Sequence, residues 1–305
     1  MRRCRIESLG VSLPRRRLRR WGSVRHAVEA GRRCLAASHY RPGDVEVLVN
    51  TGVYRDRHTC EPAMACYIQH RLGINVEFQG RRTASFDLLD GGVGMLSAAQ
   101  VLAALVASGA ASVGMIVASD ANSDRQPDPG YTYPASGAAA LLDISPRADV
   151  GFGGFAFETL SDRADLYTGG VSLAHRRGRV MLRRRAGLEE AFLEAATSAV
   201  AAVLERERTL RKDVDFVVPA QISPSFVGRL PAAISFPRHK VLDLTETMAD
   251  PLSTSLFLAL HQALRGGLVE PGKVVLLVAC GSGITAGAAI YRVCRRARPS
   301  PIAVA

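Results

Sequence analysis

The second half of this 305-residue chain repeats the order of elements found in the first half. A helical pattern at 24–38 precedes a short apolar run at 44–49, and a helical pattern at 188–207 precedes a similar run at 213–218. Each half then continues with a strand, a helix rich in Ala and Leu and a second strand, at 85–89, 95–108 and 113–119 and again at 240–244, 252–265 and 274–280.

Strands that alternate with helices of a dozen or more residues are typical of α/β proteins with buried, largely parallel strands. Two copies of such a unit predict two similar sheets that pack around shared helices. We therefore expect a five-layered α/β/α/β/α sandwich with an N-terminal half at 1–150 and a C-terminal half at 151–305. Two unrelated α/β domains are the alternative, and they explain the matched order of elements less well.

The composition narrows the class of protein. Apolar residues make up 48% of the chain, which is enough for a large core. Apolar stretches such as 274–280 are much shorter than the roughly 20 residues of a membrane span, so we predict a cytoplasmic protein without one. No pair among the six cysteines has CxxC spacing, so the sequence predicts neither a metal site nor a disulfide framework.

The net charge of +11 comes almost entirely from arginine, because Lys212, Lys240 and Lys273 are the only lysines among 39 basic residues. No nucleic-acid-binding motif accompanies the arginine runs, which argues against a nucleic-acid partner. Most of these charges are expected to form a solvated surface. Some, in particular Arg183 and Arg184, are candidates for binding an acidic protein.

Six short segments of the chain resemble the thiolase superfamily, and within it the β-ketoacyl-acyl-carrier-protein synthase III group. They follow in the family's order at 6–14, 61–73, 86–88 with Gly94, 108–110, 113–119 and 281–287. The resemblance implies the thiolase-like sandwich, an acyl-CoA or acyl-carrier-protein thioester as ligand, and no metal or other cofactor. It also implies a dimer, in which the segment 51–60 lies at the interface.

Members of this family carry a Cys, a His and an Asn, and the aligned positions here hold other residues. Gly92 stands at the Cys position, Ala220 at the His position and Asp250 at the Asn position. The run 89–94 contains no Cys, Ser or Thr, so a shift of one residue recovers no nucleophile. The resemblance therefore implies that this chain forms no acyl-enzyme.

Three side chains and one loop are left as candidates for chemistry. Asp90 and Asp250 could act as a pair of carboxylates in acid/base catalysis, although Asp250 before Pro251 also fits a helix N-cap, which we favour. Cys280 ends an apolar strand, where a cysteine is usually an inert core residue. The loop Gly281, Ser282 and Gly283 borders the acyl site in the resembling family.

Two functional hypotheses follow. In the first, the chain is a non-condensing member of the group from fatty-acid-like or polyketide-like biosynthesis, acting as a structural or pocket-shaping subunit. Its partner is a second copy of itself, an active ketosynthase or an acyl carrier protein. In the second, the chain is an acyltransferase or condensing enzyme that works on bound thioesters without a Cys nucleophile and uses Asp90 or Asp250.

Overall fold

The computed structural model describes residues 3–13, 21–77, 80, 82–174, 178–294 and 298–299. Its α-helices are α1 Ser23–Ala37, α2 Met64–Leu72, α3 Gly94–Ser108, α4 Leu188–Arg206, α5 Pro224–Ile234 and α6 Ser255–Arg265. Its strands are β1 Cys4–Ser12, β2 Val47–Asn50, β3 Ala84–Asp87, β4 Val113–Asp120, β5 Ser136–Ile144, β6 Gly151–Thr159, β7 Tyr167–Ser172, β8 Arg179–Arg184, β9 Phe216–Pro219, β10 Val274–Gly281, β11 Thr285–Arg292 and β12 Arg298–Pro299.

Two sheets of related topology carry the repeat. The first has the strand order β12-β1-β5-β4-β2-β3 and the second has the order β6-β11-β10-β9. In both, a parallel pair (β2 with β4, β9 with β10) adjoins two antiparallel pairings (β4-β5-β1 and β10-β11-β6). β7 and β8 form a separate antiparallel hairpin. The predicted repeat of α/β units is therefore present in the structure.

The helices form three layers around these sheets. α3 contacts β1, β4 and β5 of the first sheet and β11 of the second, and α6 likewise contacts strands of both sheets. α1 covers the outer face of the first sheet, and α4 covers the second sheet with α5 packed beside it. The five-layered α/β/α/β/α sandwich predicted from the sequence is confirmed.

The central core is built from apolar side chains of both halves. Leu96 and Leu102 of α3 and Leu256 and Leu260 of α6 are at most 1% exposed within one apolar cluster. Burial of each such side chain stabilises the fold by about 1.5–3 kcal/mol. The 18-residue window Gly91–Ser108 is long and apolar enough, by composition, to cross a membrane, so the expectation that no stretch approaches that length was wrong. In the fold, this window contains the central helix α3, whose apolar faces meet both sheets.

One predicted strand is absent from the second half. Residues 240–244 make only an isolated bridge between Val217 and Val241, although the equivalent 84–87 in the first half forms β3. The buried side chain of Gln221 replaces strand pairing here: its Nε2 donates to the carbonyl oxygen of Leu242 at 3.3 Å, and its Oε1 accepts the N–H of Leu244 at 2.7 Å. A side-chain amide therefore supplies hydrogen bonds that a strand neighbour would otherwise provide.

Candidate functional site

The start of α3 is closed by contacts between backbones. Gly91, Gly92 and Val93 form a 3-10 turn in front of the helix, and Gly91 has a φ of 51°, which favours glycine. A Cβ atom on Gly92 would lie 2.3 Å from the carbonyl oxygen of Cys280, and one on Gly281 would lie 2.7 Å from the nitrogen of Gly92. The end of β10 therefore fills the space that a side chain at position 92 would need.

Asp90 precedes this turn and interacts with its own helix. Its Oδ2 accepts a hydrogen bond from the Ser97 hydroxyl at 2.5 Å. Burial raises the pKa of the Asp90 carboxyl, and the Ser97 hydrogen bond opposes that rise. Asp90 is therefore bound to the first turn of α3, and among the described residues it makes no hydrogen bond to Asp250.

Asp250 lies before α6, but it does not cap the helix in the predicted way. Its Oδ1 accepts the N–H of Leu252 at 2.9 Å, which holds a 3-10 turn at Leu252–Thr254. The helix itself begins only at Ser255, because Leu252 has a φ of 53° and is not helical. The predicted N-cap role is therefore limited to this turn.

Asp250 lines a cavity of about 420 Å³. The wall of this cavity combines residues of β7, β8, α4 and β10 with the turns around 132, 222 and 250. Its chemically distinctive members are Tyr133, Tyr167, Arg184, Asp250, Cys280 and Gly281. The site is thus an open space of ligand size with charged and aromatic groups on its wall.

Two tyrosines of the cavity wall, Tyr133 and Tyr167, belong to a cluster of four. The hydroxyl groups of Tyr133 and Tyr167 share a hydrogen bond, and both residues are about 7% exposed. Tyr54 stacks on Tyr133 with ring centroids 6.3 Å apart, and Tyr131 meets Tyr133 edge-on at 5.5 Å. Burial raises the pKa of the Tyr133 and Tyr167 phenols, so they stay neutral donors at physiological pH.

The guanidinium of Arg184 lies over the two innermost rings. Its Cζ is 5.0 Å from the centroid of Tyr133 and 5.6 Å from that of Tyr167. Its Nη1 also donates to the carbonyl oxygen of Gly130 at 3.4 Å. These contacts place the Arg184 charge beside the cavity.

Burial dominates the electrostatic environment of Asp250. Burial raises the pKa of the Asp250 carboxyl to about 7, and the charge of Asp120 adds to this rise. The N–H of Leu252 and the charge of Arg184 oppose it. A carboxyl with a pKa near 7 in a cavity is suited to proton transfer or to binding a cation.

Asp120 lies behind this wall and joins the two halves. It is fully buried at the end of β4, where its Oδ1 accepts the N–H groups of Val53 at 2.9 Å and Tyr54 at 2.8 Å. Its Oδ2 accepts the N–H of Ser253 at 3.2 Å together with the Ser253 hydroxyl. Burial raises the pKa of Asp120, and these four hydrogen bonds oppose the rise. Its role in the structure is to hold the turn at 252–254 in place.

The remaining predicted residues divide between wall and core. Cys280 is 4% exposed, and burial raises the pKa of its thiol, so it is an inert part of the wall. Ala220 is buried in the core, and its N–H donates to the carbonyl oxygen of Val278 at 2.8 Å. In the loop after β10, Gly281 reaches the cavity and Ser282 lies against Gly91. No cluster of His, Cys, Asp or Glu with metal-binding geometry occurs within the described ranges.

The arginines predicted to bind an acidic protein lie on the β7-β8 hairpin. Arg183 and Arg184 are exposed at the end of β8, and Arg184 also lines the cavity. Arg185 follows them and is engaged by Asp165. A second arginine-rich run, at 176–179, is also a candidate for binding an acidic partner, and its residues 176–177 lie outside the described residues.

The sequence interpretation missed the tyrosines. Tyr131, Tyr133 and Tyr167 are three of only seven tyrosines in the chain, and the first two are separated by a single residue. A concentration of a scarce aromatic residue in two turn-flanked segments is the signal that could have identified them.

The comparisons with known proteins agree with this architecture. Residues 204–293 match the family described as 3-Oxoacyl-(acyl-carrier-protein (ACP)) synthase III C terminal. The chain is 25% identical over 271 residues to the β-ketoacyl-acyl-carrier-protein synthase III of Rickettsia bellii, covering 87% of this chain and 83% of that protein. It is 26% identical over 274 residues to the same enzyme of Erythrobacter litoralis, with the same coverage.

Solved structures show the same fold. The 3-oxoacyl-acyl-carrier-protein synthase III of Pseudomonas aeruginosa superposes with a TM-score of 0.82 at 21% identity, covering 96% of this chain and 99% of that one. The priming β-ketosynthase of the R1128 polyketide pathway gives 0.81 at 20% identity, with 98% of each chain covered. Xanthomonas campestris OleA with bound lauric acid and lauroyl-CoA gives 0.81 at 15% identity, covering 95% of this chain and 99% of that one.

Proposed function

We propose that this synthase III-like chain binds an acyl thioester in the Tyr133–Asp250 cavity without forming an acyl-enzyme. In this proposal it is a non-condensing cytoplasmic subunit of fatty-acid-type or polyketide-type biosynthesis, built from halves at 1–150 and 151–305. One observation carries the proposal: the carbonyl oxygen of Cys280 occupies the space beside Gly92, while a cavity of about 420 Å³ stays open next to it.

The closed start of α3 is the reason for excluding covalent chemistry from the proposal. A thioester-forming enzyme needs an accessible thiol or hydroxyl activated near its substrate. Gly92 has no side chain, and the nearby Cys280 thiol is buried with a raised pKa. Ala220, at the position of the family's His, offers no side-chain donor or base.

The ligand class comes from the named relatives. Two of the similar proteins are synthases named for acyl carrier protein, and one similar structure holds lauroyl-CoA. In our proposal, Arg183 and Arg184 receive the acidic carrier protein at the cavity. The loop of Gly281, Ser282 and Gly283 borders the bound thioester.

Binding and covalent modification can be separated in one experiment. We expect S-butyryl-phosphopantetheine to bind in isothermal titration calorimetry, while intact-mass spectrometry detects no butyryl adduct. Ala186→Trp, at the cavity wall, should abolish binding, whereas Ala202→Trp on the exposed surface of α4 should not. A butyryl adduct on any residue would refute the non-covalent mode.

We also propose a dimer through the edge of the first sheet. Within the described residues, β3 pairs only with β2, and exposed apolar side chains lie on β3, just after it and on the neighbouring helix α2. Tyr67, Phe86 and Leu89 are 43%, 37% and 56% exposed. An exposed apolar strand edge is a site for pairing with another chain. The partner is a second copy or an active ketosynthase subunit.

Sedimentation analysis tests this surface. Phe86→Glu combined with Leu89→Glu should convert a dimer to a monomer without unfolding it. Leu268→Glu is the matched control, because Leu268 is also 55% exposed but lies after α6, away from β3. A wild-type protein that is monomeric and binds no ketosynthase contradicts the dimer proposal.

A second candidate function is non-covalent acyl transfer with Asp250 as the base. The observation that favours it is the pKa of Asp250, which burial raises to about 7. Asp90 is less suited as a base, because its carboxylate already accepts a hydrogen bond from the Ser97 hydroxyl and does not line the cavity. Product formation from acyl-pantetheine thioesters that disappears in Asp250→Asn and persists in Asp90→Asn would replace the first proposal with this one.

A further inference from the structure

We infer that a groove between α1 and α2 binds a ligand that carries two linked phosphate groups. The described residues that line this groove are all different from those that line the Tyr133–Asp250 cavity. The inference therefore goes beyond the proposed function and is independent of it. It follows from three guanidinium groups that line one concave surface and have no carboxylate partner within the described residues.

The groove is a cavity of about 490 Å³ where α2 packs beside α1. Glycine at position 31 permits this close packing, because a Cβ atom there would lie 2.8 Å from Cδ1 of Leu72 at the end of α2. Its charged, imidazole and indole wall groups belong to Trp21, Arg25, Glu29, Arg32, His70 and Arg71. The volume lies within the range of small-molecule sites, which is about 300–1,000 Å³.

Two of the three arginines lie on one face of α1. Arg25, Glu29 and Arg32 are separated by four and then three residues, so they project from the same side of the helix. The carboxylate of Glu29 pairs with Arg33 of the same helix, at 2.8 Å from its Nη2. Glu29 therefore has its own cation partner and makes no ion pair with Arg25 or Arg32 in the described part of the chain.

The three guanidinium groups of the groove interact only with neutral groups among the described residues. Cζ of Arg25 lies 3.9 Å from the centroid of the Trp21 ring, and Nη2 of Arg32 donates to the carbonyl oxygen of Arg71 at 3.3 Å. Exposed arginines elsewhere pair with carboxylates, as Arg147 does with Asp149, Arg229 with Glu190 and Arg238 with Asp243. The groove therefore has an excess of positive charge that an anion can neutralise.

Helix geometry explains only part of this charge. Basic residues in the last turn of a helix interact favourably with its C-terminus, and His70 and Arg71 lie in the last turn of α2. This effect does not account for Arg25 and Arg32, which line the same groove from the neighbouring helix. The two helices together therefore present a site for an anion.

A ligand with two phosphate groups fits this arrangement. A guanidinium donates in a planar fork that matches phosphate oxygens, and such charge-assisted hydrogen bonds are strong. Two linked phosphates offer separate oxygens to the guanidinium groups on α1 and to Arg71 on α2. Because all three arginines are exposed, salt screens their attraction for the ligand, and we expect the affinity to fall as salt increases.

Calorimetry with inorganic pyrophosphate tests the site in the full chain. We expect pyrophosphate to bind at low salt at least about tenfold more tightly than inorganic phosphate, and Arg71→Gln to lower its affinity at least about tenfold. Arg265→Gln is the matched control, because Arg265 is an exposed arginine at the end of α6 and its loss changes the net charge equally. This control should keep the wild-type affinity.

ADP distinguishes two sources of the diphosphate group. If ADP binds more tightly than pyrophosphate, and Trp21→Ala removes the difference, the ligand is a nucleoside diphosphate. If ADP and pyrophosphate bind equally, the groove recognises the phosphate groups alone. Both results support a diphosphate site between α1 and α2.

Other results would overturn the inference. These are failure of both pyrophosphate and ADP to bind at low salt, or unchanged pyrophosphate affinity in both Arg32→Gln and Arg71→Gln. A loss of affinity only in Arg184→Gln would place the diphosphate at the thioester cavity instead. A loss only on replacing the arginines at 15–20, which lie outside the described residues, would place it on that run. Thioester binding is measured separately, so none of these results decides the proposed function.

Discussion

The starts of α3 and α6 occupy equivalent places in the two halves, yet among the described residues it is the start of α6 that lines the cavity of about 420 Å³. Each has an aspartate, a 3-10 turn and then a buried helix that contacts both sheets. At α3 the turn touches the backbone of Cys280 and Gly281. At α6, Asp250 faces open space lined by Tyr133, Tyr167 and Arg184. Similar local structure therefore gives different chemistry, because the residues packed against it differ.

Gly92→Ala tests how completely the start of α3 is closed. The new Cβ would meet the carbonyl oxygen of Cys280 at 2.3 Å, and this oxygen belongs to the central strand β10 and cannot move freely. We expect a loss of about 3 kcal/mol in the free energy of unfolding, measured by urea denaturation.

Gly228→Ala is the matched control for this prediction. Gly228 lies in α5, and no atom lies within 4 Å of its added Cβ, so alanine should leave stability unchanged or raise it by up to about 1 kcal/mol. If Gly92→Ala is as stable as Gly228→Ala, the two helix starts are equally open and the comparison fails.

Asp250→Asn tests the charge at the start of α6. The pKa of Asp250 in the folded protein is about 7, above its ordinary value, so the folded state binds the proton more strongly than the unfolded state. This contribution to stability is fully present below about pH 4 and is lost as the pH rises through 7. We expect Asp250→Asn to be more stable than wild type by about 2 kcal/mol at pH 8, with the difference vanishing near pH 4.

Asp215→Asn should change stability in the opposite direction. Partial burial raises the pKa of Asp215, but the N–H of Val274 and the ammonium of Lys273 outweigh it and hold the pKa below its ordinary value. Thermal unfolding from pH 4 to 8 should therefore show Asp215→Asn destabilised at the higher pH. If the difference in stability between Asp250→Asn and wild type does not change with pH, the Asp250 carboxyl of the wild type titrates as it would in solvent.

Asp90→Asn should change the free energy of unfolding less than Asp250→Asn does. The Ser97 hydroxyl already opposes the rise in the pKa of Asp90, and Asn keeps an acceptor for that hydroxyl. We expect less than about 1 kcal/mol change in the free energy of unfolding and no change in thioester affinity. If Asp90→Asn binds the thioester more weakly in calorimetry, Asp90 belongs to the ligand site, and the starts of α3 and α6 do not differ in the proposed way.

The smallest expected effect concerns Cys280, whose thiol should not be modified by a thiol-directed reagent. Although Cys280 lies on the cavity wall, burial raises its pKa and leaves it as an unreactive thiol. Cys60 and Cys66 are exposed and serve as internal controls for reactivity. Peptide mapping after iodoacetamide treatment that finds stoichiometric modification of Cys280 would show an active thiol between the two helix starts.

Much of the fold could be predicted from the sequence because helix and strand patterns report local packing. The predicted helix at 188–207 and the observed α4 differ by one residue, and the predicted strand at 113–119 differs from β4 by one. The strand predicted at 240–244 is absent for a long-range reason. The buried side chain of Gln221, about twenty residues earlier, makes hydrogen bonds to the backbone of Leu242 and Leu244 that a neighbouring strand would otherwise make. No periodicity within the segment itself could reveal that.

The candidate site was predictable only in its parts. The sequence by itself determined that position 92 carries no nucleophile and that acidic residues precede both central helices. It did not reveal that Tyr133 and Arg184 share a cavity with Asp250, since these residues come from three separate segments.

Tertiary structure alone decided which helix start is closed and which is open. Gly92 meets Cys280 from 188 positions further along the chain because both sheets pack on the same helix layer. Asp250 keeps its free oxygen because the β7-β8 hairpin and α4 leave a space above it instead of filling it. The composition of each segment is local information, whereas the space between segments is set by how the layers pack.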